Sequence, residues 1–282
     1  MQQALAERLR FYRDLGLTEF YRRDVEVATD LIHAGGANRS SAVIEEDQSP
    51  AQQGAQQQPA AQPANFFREE PAIPARKAFP APIQIAEAVP PAQRAAALEM
   101  IREEIGDCRR CPLHKGRNRL VFADGDPNAR LMFVGEGPGA DEDAQGLPFV
   151  GRAGQLLNNM ISAMGLKREQ VYICNVVKCR PPSNRTPEPE EAHTCLPFLM
   201  RQIDVVRPQV IVALGATAAT YLLGVRQPLA GLRGRVHAVR GTQLIVTYHP
   251  AYLLRDPRQK KEAWADLQMA MNELGLKAPA KS

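Results

Sequence analysis

Four short apolar runs stand out along the chain: Arg130–Val134, Val171–Val177, Gln209–Leu214 and Gln243–Thr247. Runs of this length bounded by turn residues read as strands. Between and after them, apolar positions recur at helical spacing over Gly154–Met164, Glu188–Val206, Ala216–Leu223 and Pro257–Leu274. In the last segment Trp264, Leu267, Met271 and Leu274 share one face. A further helix is expected over Ala95–Ile105, ending at Gly106. Strands alternating with helices imply a parallel sheet covered on both faces. The expected fold is therefore α/β: a three-layer α/β/α sandwich with a central, mainly parallel four-stranded sheet. In such sheets ligands bind beyond the carboxyl ends of the strands.

The pattern differs upstream. Leu5, Leu9, Tyr12, Leu15 and Leu17 recur near helical spacing, followed by Phe20 and Tyr21, so residues 3–32 read as helical. Residues 34–93 hold nine prolines and nine glutamines with little aliphatic content. Such a stretch buries too little apolar surface to offset chain entropy and is expected to be a disordered linker. The chain thus divides into an N-terminal helical segment (1–33), a disordered Pro/Ala/Gln-rich linker (34–93), a folded domain (94–276) and a flexible tail (277–282). The N-terminal segment, too short to fold alone, is expected to dock on the core or on a partner.

Composition narrows the classes. The chain has 282 residues, 44% of them hydrophobic, enough for a substantial core. No stretch approaches the roughly 20 apolar residues of a membrane span, so no membrane association is expected. No export leader is apparent, and five cysteines are an odd number for a disulfide framework. Reduced thiols or metal ligands in the cytoplasm are expected instead. Charge is uneven: residues 1–93 carry 9 Lys/Arg and 12 Asp/Glu, and residues 94–282 carry 26 and 19. The folded part is the basic part, as befits a polyanion partner.

Four cysteines form a constellation: Cys108 and Cys111 at C-x-x-C spacing, then Cys179 and Cys195. Four thiolates hold either zinc or an iron–sulfur cluster, and spacing alone does not choose. Cys174, inside a strand run, reads as a small buried hydrophobe. After the first strand comes Gly135-Glu136-Gly137-Pro138-Gly139-Ala140, which formally satisfies a dinucleotide fingerprint. Asp141, Glu142 and Asp143 follow at once and would repel a pyrophosphate, and the next helix is expected only after Gly151-Arg152-Ala153-Gly154. A loop that lets backbone approach a ligand closely, with one carboxylate at the strand tip, fits better.

Taken with Gly146-Leu147-Pro148-Phe149-Val150-Gly151-Arg152-Ala153-Gly154, Asn175-Val176-Val177-Lys178-Cys179-Arg180-Pro181-Pro182 and His249-Pro250-Ala251-Tyr252-Leu253-Leu254, these motifs resemble the family 4 uracil-DNA glycosylases. Those are the iron–sulfur members of their superfamily. The match runs from about Ile105 to Leu274. The resemblance implies a monofunctional glycosylase that flips uracil out of DNA and hydrolyses its N-glycosidic bond, initiating base excision repair. It implies a 4Fe-4S cluster on Cys108, Cys111, Cys179 and Cys195. It also implies that Phe149 stacks on the base, Asn175 reads its O4 and N3–H, and backbone near Gly137 touches it. His249 is implied to donate to O2 as negative charge develops, and Glu136 to position water beneath the sugar.

DNA contacts are expected from Arg152, Arg185 and Arg255, with Tyr252, Leu253 and Leu254 as an apolar wedge. Lys178, Arg180, Arg258, Lys260 and Lys261 are further candidates for phosphates, as is the helix-opening turn Gly215-Ala216-Thr217. Uracil-containing DNA is the expected partner of a monomer, nucleoid-associated when bound. The N-terminal segment is expected to dock a replication or repair protein. Two other readings stand beside this one: a relative that binds uracil-DNA without turnover or traps it covalently, and a non-enzymatic zinc module. The covalent branch carries an Arg-Arg-Ile-His insertion that Val177–Ala192 lacks.

Overall fold

The computed structural model describes residues 88–277. The N-terminal segment, nearly all of the linker and residues 278–282 lie outside the described residues. The described residues belong to one compact unit.

The elements, in chain order, are α1 (Arg94–Ile105), β1 (Asp124–Gly125), β2 (Leu131–Gly135), α2 (Ala140–Gln145), α3 (Arg152–Ala163), β3 (Tyr172–Asn175) and α4 (Pro189–Val206). There follow β4 (Val210–Leu214), α5 (Ala216–Leu223), α6 (Leu229–Leu232), β5 (Val236–Val239), β6 (Thr242–Thr247), α7 (Pro250–Arg255) and α8 (Lys260–Glu273). The strands form one sheet in the order β1-β3-β2-β4-β6-β5. The four strands expected from the apolar runs pair in parallel at its centre. Two antiparallel edge strands, β1 and β5, extend it to six. β5 is mostly exposed and β1 has only two residues, so neither leaves an apolar run to read.

Alternation along the central strands builds two cores. Met132, Val134, Ile211, Ala213, Leu244 and Val246 pack with Leu98, Ile101, Leu199, Ile203 and Leu222 of α1, α4 and α5. Leu131, Phe133, Val210, Val212 and Ile245 pack with Leu157, Leu253, Trp264 and Leu267 of α3, α7 and α8. This is the three-layer sandwich. Cys174 is fully buried in the first core, as expected.

Two helical expectations change. The expected helix over Pro257–Leu274 begins as a single 3-10 turn and becomes α8 only at Lys260. More consequentially, α2 opens directly on the glycine-rich loop, where no helix was expected before Gly151. Its sequence, Ala-Asp-Glu-Asp-Ala-Gln, carries no apolar stripe. Its start is secured instead by Glu142, whose Oε2 accepts from the Gly139 N–H at 3.1 Å, and by three acidic residues in the positive first turn. A missing helix is therefore no argument against a phosphate-binding loop; the acidic turn itself remains one.

β2 has β3 on one side and β4 on the other, so the chain's crossovers reverse direction beside it. Such a switch point opens a crevice at the carboxyl ends of the strands. Among the described residues no helix is long and apolar enough to cross a membrane.

Candidate active site

That crevice is a cavity of about 690 Å³. Each central strand delivers one group to it. β2 ends into Glu136 and Gly137, β3 ends at Asn175, β4 leads to Gly215 and Thr217, and β6 leads to His249. Phe149 reaches it from the connection between α2 and α3. Arg152, Arg185, Tyr252 and Arg255 line its mouth. Of the residues expected at the base and DNA, Leu253 and Leu254 are absent from its lining, as are the further phosphate candidates Lys178, Arg180, Arg258, Lys260 and Lys261. Leu253 is fully buried in the core, whereas Leu254 is exposed. Adjacent positions on a helix point about 100° apart, so the three-residue wedge cannot face outward as a unit.

Phe149 and His249 face one another with ring centroids 5.7 Å apart. Asn175 is 1% exposed, and its side-chain Oδ1 is a buried acceptor without a hydrogen-bond partner among the described residues. Leaving such an atom unpaired costs about 1–3 kcal/mol, which a ligand donor at that point recovers. Gly135 makes the space between these groups. A Cβ there would lie 2.4 Å from Asn175 Oδ1 and 2.5 Å from Phe149 Cζ.

The Phe149 backbone is held in a left-handed conformation, φ 54°, which is costly for a bulky residue. Its surroundings impose it. Arg168 donates to the carbonyls of Phe149 (3.1 Å) and Pro148 (2.6 Å) and is itself fixed by Asp124 and Asn158 at 2.8 Å each. Glu142 Oε1 accepts from the N–H groups of Val150 (2.9 Å) and Gly151 (3.0 Å). The aromatic platform is thus rigid before any ligand arrives.

His249 caps the start of α7, its Nδ1 accepting from the Ala251 N–H at 3.1 Å. That bond places the ring proton on Nε2. Burial, reinforced by the Arg255 charge, lowers the imidazole from 6.5 to about 4, so near neutral pH it is an uncharged donor. Glu136 accepts a short hydrogen bond from the Thr217 hydroxyl at the start of α5. The Gly215-Ala216-Thr217 turn, which reads from the sequence equally as a phosphate seat or an ordinary strand-to-helix turn, presents this hydroxyl to the carboxylate.

A second cavity lies near the sheet's first core. Cys108, Cys111, Cys179 and Cys195 all line it, with Ile105, Leu120 and Phe198. None of the four is in a disulfide. Arg117 donates to Cys179 Sγ at 3.1 Å and to the Cys108 carbonyl at 2.9 Å; Arg110 reaches Cys108 Sγ at 3.4 Å. Burial raises the thiols of Cys111 and Cys179 and pushes Cys195 up to about 12. Thiolates, not thiols, bind metal, so the flanking cations are what ligation here needs. Among the described residues no three His, Cys, Asp or Glu groups gather tightly enough for a single ion. Four sulfurs around one cavity are a donor set that fits zinc or an iron–sulfur cluster.

The Uracil DNA glycosylase superfamily matches residues 122–268. The chain belongs to that superfamily. It is 48% identical over 165 residues to the Type-4 uracil-DNA glycosylase of Thermotoga maritima, covering 58% of this chain and 86% of that one. Similar relatives of the same description come from Archaeoglobus fulgidus (42%; 65% and 96% covered) and Pyrobaculum aerophilum (46%; 61% and 92% covered).

Several residues of this superfamily member escaped sequence reading. Arg168, Glu142, Thr217 and Arg117 act on site residues from positions that look like ordinary surface charges or turns. Lys178 and Lys260, expected at phosphates, are 1% and 4% exposed. Arg185 is drawn onto Glu191 at 2.8 Å, which divides its charge between protein and cavity. Gly135 offers a direct test of the pocket. Alanine needs no unusual backbone angle there, but its methyl forces side chains in the pocket to shift, so a melting curve accompanies the assay to separate this from unfolding. Steady-state kinetics of Gly135→Ala on a uracil-containing oligonucleotide should fall about 100-fold in kcat/KM, because the new methyl displaces Asn175 and Phe149. An unchanged kcat/KM would remove the pocket assignment.

Proposed function

We propose that the chain is a monofunctional uracil-DNA glycosylase that extrudes uracil from DNA and hydrolyses its N-glycosidic bond, leaving an abasic site. The observation that carries the reading at residue level is the unpaired, buried Oδ1 of Asn175. It faces the pocket as an acceptor, and uracil N3–H is a donor; cytosine offers a lone pair there and leaves both atoms unpaired. The Asn175 amide N–H serves O4. Phe149 stacks on the extruded ring, and the Gly137 backbone approaches it.

His249 Nε2–H is directed to O2. As the glycosidic bond lengthens, negative charge gathers on the base, and a preset neutral donor stabilises it without acidifying the pocket. Glu136, fixed by Thr217, holds the water nucleophile and offsets the positive sugar. Arg152, Arg255, Tyr252 and Leu254 engage the DNA around the extruded nucleotide.

Cys108, Cys111, Cys179 and Cys195 would hold a 4Fe-4S cluster. When bound, it cross-links the segment after α1, the loop after β3 and helix α4; it serves as a structural centre. We further infer action as a monomer in the cytoplasm, and docking of residues 1–33 on a replication or repair protein through their apolar stripe. Pull-downs with and without residues 1–93 test the last point.

The deciding experiment is multiple-turnover cleavage of a uracil-containing oligonucleotide, with free uracil and abasic DNA quantified. Turnover lost in Asn175→Ala is expected. Stoichiometric capture without turnover, or a covalent protein–DNA adduct, would replace the enzyme with the trapping relative.

A further inference from the structure

One buried charge has no part in the chemistry above. Lys178 is the cation of the loop after β3, yet it is 1% exposed. Its Nζ donates to the Asn175 carbonyl at 2.8 Å and to Gln202 Oε1 at 2.5 Å. Gln202 is oriented in turn by donating to Tyr172 Oη (3.1 Å) and the Phe122 carbonyl (3.3 Å). Both acceptors on the ammonium are neutral. The same residue also lines the cysteine cavity, and its backbone N–H is hydrogen-bonded to the Cys195 thiol. Its carbonyl accepts from Val121 at 2.9 Å. One residue therefore touches the sulfur site with its main chain and the pyrimidine-reading Asn175 with its side chain.

Burying an ammonium among neutral acceptors is costly, which makes its placement here worth explaining. We propose that Lys178 is a positioning residue that couples the cysteine site to the base pocket: its ammonium anchors the backbone of Asn175 while supplying a counter-charge to the thiolate ligands. The ordering of Asn175 then depends on the integrity of the sulfur site, although no cysteine approaches the base. The inference rests on the reading of this pocket as a uracil site.

The test uses the full chain with its cluster in place. Binding is measured to an oligonucleotide carrying a non-cleavable 2′-fluoroarabino-uridine, alongside single-turnover cleavage of ordinary uracil-DNA. Lys178→Met is expected to weaken uracil-specific binding and slow cleavage at least tenfold. In an Asn175→Ala background, where cleavage is already lost, it is expected to change binding by no more than about twofold, because the side chain it positions is gone. The cluster's midpoint potential should become more negative in Lys178→Met, since a nearby cation favours the reduced state, and stay unchanged in Asn175→Ala.

Equal losses from Lys178→Met in both backgrounds would mean a general structural role and overturn the proposal, as would an unshifted potential. If Lys178→Met does not fold, Gln202→Met, which frees one bond of the ammonium, should show a smaller loss with the same dependence on Asn175. Independence there overturns the proposal equally. Absence of uracil cleavage by the wild-type chain would instead strike the functional reading, whereas an active wild type with an unimpaired Lys178→Met strikes only this inference.

Discussion

Replacing His249 with alanine is expected to slow single-turnover cleavage of uracil-DNA about 100- to 1,000-fold while leaving DNA affinity nearly unchanged. That is the usual cost of removing one preset donor from a developing anion. Nδ1 is occupied by the Ala251 N–H, so in the proposed reading Nε2–H is the donor left for O2. The pH dependence follows with a definite sign. Burial lowers the imidazole to about 4, so the donor form is the neutral one and persists as acidity rises through the ordinary histidine range. The rate should therefore show no fall centred near 6.5 and should decline only as pH drops through about 4. There the second proton arrives on Nδ1, two donors meet, and the α7 cap breaks. His249→Gln, which donates but does not titrate, should recover part of the rate. A rate profile falling with a midpoint near 6.5, or an alanine variant within a few-fold of wild type, would refute the assignment.

The sequence carried much of this site because its groups sit where strand runs end. Glu136 and His249 follow apolar runs and Asn175 lies in one, where β3 ends, and the sheet's switch point brings such ends together whatever the helices do. The parallel order of the four central strands was legible for the same reason. What escaped reading was the support around those groups. Lys178 in Lys-Cys-Arg-Pro-Pro has the look of a surface cation; only closure of the loop over α4 places it against Gln202. Arg168 and Glu142 lie on opposite sides of Phe149 in sequence, and nothing local says that both grip its peptide. The strained Phe149 backbone is likewise invisible, since phenylalanine gives no sign of a positive φ.

Helix periodicity misled where a helix was short. Tyr252-Leu253-Leu254 is apolar throughout, and its division between core and surface becomes clear only once α7 is known to start at Pro250. In α2 the polar composition concealed a helix held by a single carboxylate bond pattern. Both cases reflect one cause: tertiary anchoring decides elements of six residues, and propensity does not.

Loss of the sulfur site should be the largest structural perturbation available. If the proposed cluster is present, Cys179→Ser, or removal of that cluster by a chelator, is expected to lower the melting temperature by about 10 °C. The cross-link from Cys111 to Cys179 closes a loop long enough that fixing it is worth about 4 kcal/mol in chain entropy. For a domain of this size each kcal/mol corresponds to about 2–4 °C. The residues between α1 and β1 have little regular structure; at their start the anchors are Arg117 on Cys108 and Cys179 with burial of Leu113, while Asn118 and Arg119 on Asp143 and Val121 on the Lys178 carbonyl hold the later part. Activity should fall beyond what instability explains, because Cys179 adjoins Lys178 and the loop leads back to Asn175. Iron and sulfide analysis of the wild type is expected to give about four of each per chain, with a broad visible band that the variant loses. Stoichiometric zinc in place of iron would leave the thermal prediction standing and remove the cluster. A Cys179→Ser chain with wild-type melting temperature and cleavage would remove both, since neither the cross-link nor its path to Asn175 could then matter.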